Sequence, residues 1–234
     1  EVKARDARML LFCSPQNPVG RVWSRSELEA LLDIVLRHDL IVVSDEIHAE
    51  IVYPGVEHIP FASLNREAAA RSVTCIAASK TFNVAGLAAS VAIIGERALR
   101  KRFTAALGAL MGEPNLFGLT ALKAAFSKCD GWLDELIKYL EVNRRFTSDF
   151  IRASCPGIGC ELPEATFLAW LDCRDLKMDD AGLAHFFAQE AKVGLNAGVS
   201  FGSGGAGFMR LNFGTPRALL KEGLERIAGA ISRG

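Results

Sequence analysis

Four places along the chain hold residue types that can do chemistry at a bound ligand. They are Asn17, the run Asp45-Glu46-Ile47-His48, the pair Ser79-Lys80, and Arg210. A lysine amine can act as a nucleophile or a base, and an arginine can hold a carboxylate through two parallel hydrogen bonds. A carboxylate favours the protonated form of a nearby nitrogen base.

Each of these residues also has an ordinary structural interpretation. An aspartate that ends a strand is usually a cap or turn residue, a lysine after a strand is usually solvated, and an arginine among apolar residues usually pairs with a local carboxylate. Asn17, Asp45 and Lys80, however, each follow an apolar strand candidate. Because ligands bind at the carboxyl ends of strands in open α/β sheets, their joint occurrence favours one shared crevice. Arg210 falls within a strand candidate nearer the C-terminus.

The first hundred residues alternate between strand and helix patterns. Ser24 and Glu27 form a capping box, and the leucines that follow recur with the spacing of one buried helix face. Strands are predicted at four apolar runs: residues 9–13, 40–44, 73–77 and 88–94. Uninterrupted apolar strands that alternate with helices predict an α/β fold, with a mostly parallel sheet sandwiched by helices.

The rest of the chain changes character. A helical pattern runs from Arg97 to about Ser154, with breaks near 112–114 and at 130–131. Short strands are predicted at 167–171 and 208–212, and helices at 179–191 and from Pro216 onward, with Thr215 as the cap. The predicted organisation is a large domain at 1–105, a helical connection at 106–145, and a smaller C-terminal α+β domain at 146–234.

Composition excludes several classes of protein. The 27 basic and 27 acidic residues cancel, so neither nucleic acid nor an anionic membrane is an expected partner. No apolar run reaches the roughly 18–20 residues of a membrane span. Half of the residues are hydrophobic, which favours a second surface to cover, either on a partner subunit or on a missing part of the protein. The six cysteines contain no C-x-x-C pair and predict reduced thiols in the cytoplasm.

Four motifs occur in one order: S-P-Q-N-P-V-G at 14–20, S-D-E-I-H at 44–48, S-K-T-F-N-V-A-G-L at 79–87, and R-L-N-F-G-T-P at 210–216. They resemble the pyridoxal-phosphate (PLP) dependent enzymes of fold type I, within the class I and II aminotransferases. Among these, the chain is most similar to the C–S lyases of the cystathionine β-lyase type. The resemblance covers essentially the whole chain and implies an aspartate-aminotransferase-like large domain, in an enzyme that is a homodimer.

The resemblance also implies roles for individual residues around pyridoxal 5′-phosphate. Lys80 is the covalent attachment point and, once released, the base at the substrate α-carbon. Asp45 pairs with the pyridine nitrogen, while Asn17 and His48 lie near the phenolic oxygen. Arg210 grips the α-carboxylate of an amino-acid substrate, with a geometry that lysine cannot supply.

Phosphate binding departs from the family pattern. Many relatives place a serine and an arginine at the positions of Ala77 and Ala88, so Ser79 is the candidate that remains. The family also keeps an N-terminal third upstream of the N-P-V-G asparagine, which supplies an aromatic ring and a helix N-terminus for the cofactor. Only 16 residues precede Asn17 here. The chain is therefore expected to be a fragment that is inactive by itself.

The function predicted for the intact enzyme is C–S β-elimination, which releases a thiol, pyruvate and ammonia from a sulfur amino acid. The alternatives are an aminotransferase with the same cofactor, and a truncated, non-catalytic or regulatory protein of the same fold. The stretch 202–207 fits G-x-G-x-x-G but precedes a strand, which argues against a dinucleotide site. No metal site is expected, since Glu46 alternates away from Asp45 and His38, His58 and His185 look like surface or turn residues.

Overall fold

A computed structural model describes residues 2, 6–108 and 114–233. The chain divides into two compact units. The first unit comprises Glu1–Gln16 and Val22–Asp134, and the second comprises Asn17–Arg21 and Glu135–Gly234. The predicted domain limits of 1–105, 106–145 and 146–234 stay a prediction.

The first unit contains a four-stranded sheet. Its strands are β1 (Met9–Cys13), β2 (Ile41–Asp45), β3 (Ser72–Ile76) and β4 (Val91–Ile93), in the order β1-β2-β3-β4. The β1–β2 and β2–β3 pairs are parallel, whereas β4 runs antiparallel to β3. The mostly parallel sheet and the α/β class are therefore confirmed.

Helix α1 (Arg25–Arg37) begins at the predicted capping box. The Ser24 hydroxyl accepts a hydrogen bond from the Glu27 amide, and the Glu27 carboxylate accepts one from the Ser24 amide. Such a cap contributes about 1 kcal/mol. The buried leucines and valine of the helix join a core cluster with Phe12 of β1 and Val42 of β2. Each such side chain contributes roughly 1.5–3 kcal/mol on burial, so packing outweighs the cap.

The opposite face of the same sheet is exposed at β1. Side chains alternate along β1, so Phe12 points into the core while Met9 and Leu11 lie on the other face. Met9 is 55% exposed and Leu11 is 77% exposed. The register aligns Leu11 with Val43 and Cys13 with Asp45. One apolar sheet face therefore ends at the candidate site residue of β2.

The first unit contains further helices, and the last of them continues into the second unit. They are α2 (Arg66–Ala70), α3 (Ala78–Thr81), α4 (Arg97–Leu107), α5 (Leu116–Lys128) and α6 (Asp130–Ser154). The predicted break at 130–131 lies slightly too late in the chain, since α5 ends at Lys128, Cys129 separates the two helices, and residues 130–131 already belong to α6. In the other predicted break, Gly112 lies outside the described residues. Within the described part of the chain, none of the helices has both the length and the apolar character needed to cross a bilayer.

The second unit contains an antiparallel sheet flanked by helices. Its strands are β5 (Gly159–Cys160), β6 (Leu168–Asp172), β7 (Asn196–Ala197) and β8 (Phe208–Asn212), in the order β5-β6-β8-β7. Helix α7 (Asp180–His185) continues as a π-helical turn at Phe186–Glu190, and α8 (Arg217–Ile231) follows β8. The antiparallel sheet and these helices form an α+β arrangement.

The predicted cap of α8 is wrong. The residue that caps α8 is Pro216, and no side chain of the cap bonds to the helix. The first free amide, that of Arg217, instead donates a 2.8 Å hydrogen bond to the Tyr139 hydroxyl. The Thr215 carbonyl accepts from the Asn143 amide at 2.9 Å. A side chain from α6 therefore satisfies the helix end, so Thr215 is not needed as a cap.

Candidate active site

Lys80 lies in α3, directly after β3. The helix has only four residues, and no side chain caps its N-terminus at Ala77. The Lys80 side chain is exposed, and its amine forms no hydrogen bond or ion pair with any residue that the structure describes. An amine without such partners is available to react with a carbonyl compound.

Asp45 is the last residue of β2, between two parallel neighbours. The register aligns it with Cys13 of β1 and with Cys75 of β3. One of its carboxylate oxygens accepts a 3.2 Å hydrogen bond from the Ile47 amide. Since β2 and β3 are parallel, Asp45 and the start of the Lys80 helix lie at the same edge of the sheet. This edge carries a half-buried carboxylate and a free amine.

The edge of the sheet is a negatively charged environment. Burial raises the pKa of the Cys75 thiol, and the negative charges of Asp45 and Glu46 raise it further. A cationic nitrogen brought to this edge is stabilised by the same charges.

Glu46 points to the other side of the sheet, as strand alternation predicts. It is only 2% exposed, and its carboxylate accepts hydrogen bonds from the Ser44 hydroxyl at 2.8 Å and the Phe61 amide at 3.2 Å. The His58 ring nitrogen Nε2 lies 3.0 Å from the second carboxylate oxygen. The His58 side chain is 8% exposed. The prediction that His58 is a surface or turn residue is therefore wrong, because a buried carboxylate twelve residues earlier in the chain pairs with it.

Two further candidates lie in the same unit. His48 is buried, at 2% exposure, in the turn after β2. Ser79 is half-buried in α3, next to Lys80. Ala77 is buried and Ala88 is exposed in a left-handed backbone conformation, and neither side chain can bind a phosphate. The predicted contacts of His48 and Ser79 with a cofactor stay predictions.

Asn17 and Arg210 come together in the second unit. The Arg210 Nη1 donates a 2.7 Å hydrogen bond to the Asn17 side-chain oxygen, and Nη2 donates a 2.8 Å hydrogen bond to that of Asn196. The guanidinium carbon lies 4.7 Å from the centre of the Phe201 ring. Burial lowers the pKa of Arg210, and its Nε atom is buried with no partner among the described residues. Two of the five N–H donors of the arginine thus hold the guanidinium in a fixed plane, and the buried Nε is among the donors left over.

Sequence reasoning missed Asn196 and Phe201. Asn196 lies on the two-residue strand β7, where the register pairs it with Arg210. Phe201 ends a short turn before the glycine-rich stretch. Within that stretch Gly205 is packed closely, since a Cβ on it would lie 2.0 Å from the Gly198 carbonyl oxygen, whereas Gly202 and Gly204 have open space around them. Gly205 therefore marks a close approach of the backbone before β8, and this signal could have pointed to a hairpin around Arg210.

The donor types of the described residues fit the cofactor that the sequence motifs imply. A carboxylate for a ring nitrogen and a free amine for covalent attachment lie at one sheet edge, at Asp45 and Lys80. The second unit supplies a fixed guanidinium at Arg210 for a carboxylate. The phosphate of the cofactor has the fewest candidate side-chain donors, and Ser79 is the candidate for it.

Comparisons with known proteins identify the family of the chain. The family model described as "Aminotransferase class I and II" matches residues 1–227. Cystathionine beta-lyase PatB of Bacillus subtilis (strain 168) is 45% identical over 235 residues, which cover 99% of this chain and 61% of that protein. The chain thus spans about three fifths of the length of this relative.

Two solved structures share the fold. Cystalysin of Treponema denticola, which contains a pyridoxal 5′-phosphate cofactor, matches with a TM-score of 0.95 and 40% identity, over 98% of this chain and 58% of that one. A PLP-bound protein of Clostridium difficile 630, described as an aminotransferase, matches with a TM-score of 0.95 and 39% identity. The match covers 98% of this chain and 59% of that one. The aspartate-aminotransferase-like fold is confirmed, and the chain belongs to the class I and II aminotransferase family.

Proposed function

We propose that the protein containing this chain is a PLP-dependent C–S β-lyase. Its substrates would be a sulfur amino acid of the cystathionine type and one molecule of water, and its products a thiol, pyruvate and ammonia. The observation that carries the proposal is the free Lys80 amine at the same sheet edge as the Asp45 carboxylate. The 45% identity with a cystathionine β-lyase along nearly the whole chain supports the choice of reaction.

PLP, when bound, supplies an electron sink for the charge that develops at the substrate α-carbon. Lys80 would hold the cofactor covalently, and Asp45 would keep a proton on the ring nitrogen. Asn17 and His48 are the proposed partners of the phenolic oxygen, and Ser79 is the proposed partner of the phosphate. The carboxylate at Asp45 favours the protonated ring because an anion stabilises a nearby cation.

Two residues of this chain would remove the substrate proton and bind the substrate. The Lys80 amine would take the proton from the substrate α-carbon, after the amino group of the substrate has replaced it. Arg210 would bind the α-carboxylate, and its bonds to Asn17 and Asn196 fix the guanidinium plane before substrate arrives. A fixed plane lowers the entropy cost of binding.

An aminotransferase that uses the same residues is the second candidate. The similarity to a PLP-bound protein described as an aminotransferase supports it. In both reactions Lys80 would remove the α-proton of the substrate. Elimination then requires a thiolate leaving group on the substrate β-carbon, whereas transamination requires a keto acid to receive the amino group. The D-E-I-H run and the alanine at position 88 resemble the lyase group, which favours elimination.

The test is to incubate the full-length gene product with PLP and cystathionine, without a keto acid. Steady release of pyruvate and free thiol is the result expected for a lyase. Product that forms only after a keto acid is added, together with a new amino acid, would establish the aminotransferase instead. A protein that binds no PLP and gives neither product would be non-catalytic.

The cellular setting is part of the same proposal. An amino-acid substrate, a homodimer and a cytoplasmic location fit a PLP enzyme of this family. None of the six cysteines, all of which the structure describes, forms a disulfide bond.

A further inference from the structure

Lys80 is carried by an element that cannot hold its own position. Helix α3 has four residues and lacks a side-chain cap. Isolated helices of this length are unstable in water, because the conformational entropy lost in forming the first turn exceeds the free energy gained from its hydrogen bonds. The position of Lys80 must therefore come from contacts that the neighbouring residues make with the rest of the unit.

The two residues that follow Lys80 provide such contacts. The Thr81 side chain is buried, and its hydroxyl donates a 3.0 Å hydrogen bond to the Glu50 carboxylate. Phe82 packs against Phe126 and Trp132, with ring centroids 5.9 and 5.7 Å apart. The aromatic contacts are not directional enough to fix the rotation of α3 about its axis, whereas the hydrogen bond joins two defined atoms.

Glu50 comes from the segment that also carries Asp45 and His48. Four residues earlier, Glu46 fixes this segment through its bonds to Ser44, Phe61 and His58. Burial is the main cause that raises the pKa of Glu50, and the charge of Glu46 raises it too, while bonds from its own amide and Thr81 and the charge of His58 lower it. Removal of a hydrogen-bond donor costs more free energy at a desolvated carboxylate than at an exposed one, because water does not replace the donor.

We propose that Glu50 is a positioning residue for Lys80 and acts through the Thr81 hydroxyl. The Thr81–Glu50 bond joins the helix that carries the lysine to the segment that carries Asp45, and so sets the amine relative to the carboxylate. The inference rests on the proposed role of Lys80 as the attachment point and base. It predicts that the bond affects the steps that use the amine and not the binding of the substrate carboxylate.

The test uses the full-length, PLP-loaded gene product and the substitutions Thr81→Val and Thr81→Ser. Valine keeps the shape and removes the hydroxyl, whereas serine keeps the donor. Thr74→Val is the matched control, because the Thr74 hydroxyl is buried in β3 without a partner among the described residues. We expect Thr81→Val to lower kcat about tenfold and to speed PLP loss on dilution by a similar factor, with KM within about twofold. Thr81→Ser should restore both values.

A cycle with Glu50→Ala separates the bond from general damage. If both residues act through one bond, Glu50→Ala should reproduce the kcat loss, and the double variant should be no slower than either single one. If Thr81→Val fails to fold, the kcat and the rate of PLP loss of Glu50→Ala are compared with those of the wild type and Thr74→Val, and values equal to the Thr74→Val control would contradict the inference. The melting temperature of each cofactor-free variant is measured in parallel.

Three results would overturn the inference. Thr81→Val could match Thr74→Val in kcat and PLP loss, Thr81→Ser could fail to restore the rates, or the losses of the two single variants could simply add. Failure of the proposed function looks different, because then the wild-type protein would carry no reducible PLP link at Lys80. In that case, borohydride reduction and peptide mapping of the wild-type protein would find no label on Lys80, before any variant is compared.

Discussion

Arg210 and Asn17 are 193 residues apart in sequence, and a 2.7 Å hydrogen bond from the Arg210 Nη1 to the Asn17 Oδ1 joins them. Arginine has only donors, so this contact fixes which end of the asparagine amide faces it. The Asn17 Nδ2 is thereby presented as a donor on the other side. This orientation suits the proposed contact of Asn17 with the phenolic oxygen of the cofactor.

The orientation of Asn17 can be tested with Asn17→Asp. Aspartate still accepts the bond from Arg210, but it replaces a donor with a negative charge. A negative charge disfavours a nearby phenolate, so the pH midpoint of the bound cofactor's visible absorbance should rise, by about one unit or more. Asn196→Asp is the control, since Asn196 also accepts from Arg210 and has no proposed cofactor contact. Equal midpoints in both variants would remove Asn17 from the cofactor site.

The attachment of PLP to Lys80 can be tested by borohydride reduction of the loaded, full-length gene product and peptide mapping. The label is expected on Lys80, and Lys80→Ala should lose both the label and the visible absorbance. Lys101→Ala, at an exposed position of α4, should keep both. A label on another lysine with Lys80 unmodified would show that the assignment is wrong.

Arg210→Lys should weaken substrate binding while leaving the PLP absorbance unchanged. Lysine keeps the charge but loses the paired donors, so KM should rise by the equivalent of roughly 2–3 kcal/mol. Arg174→Lys is a matched control, because Arg174 also lies over an aromatic ring, at 5.0 Å from Phe208, and pairs with Asp172. An unchanged KM in Arg210→Lys would exclude a contact with the substrate carboxylate.

Glu141 should make the stability of the second unit depend on acid pH. Burial alone would raise the pKa of Glu141, but the hydrogen bonds and charges of Arg144 and Arg145 outweigh it and hold the pKa below its ordinary value. The stabilisation is therefore complete above the unfolded pKa of about 4.3 and is lost as the pH falls through the lower, folded pKa.

Accordingly, Glu141→Gln should lower the free energy of unfolding by about 1 kcal/mol at pH 7, and the difference should shrink as the pH falls below about 4. Urea unfolding of both proteins between pH 7 and about pH 3 measures the difference in free energy of unfolding. Glu135→Gln is the control, since Glu135 pairs with Lys138 at an exposed site and should change the stability little. A difference that persists at low pH would show that the carboxylate charge is not the cause.

Local features of the sequence were enough to predict much of the fold. The Ser24–Glu27 capping box and the leucine spacing predicted α1, and uninterrupted apolar runs predicted β1, β2 and β3 within one residue at each end. These signals work because caps and side-chain periodicity depend on residues within one or two turns. The family was predicted from four motifs in order, which the comparisons confirm.

The tertiary structure decided what the local pattern could not. Thr215 looks like a helix cap, but Tyr139 satisfies the amide at that helix end. His58 looks like a turn residue, but Glu46 pairs with it in the core. Asn196 meets Arg210 because two antiparallel strands bring them into register. A hydrogen bond depends on where the folded chain places two atoms, and for partners this far apart the spacing along the sequence does not determine that position.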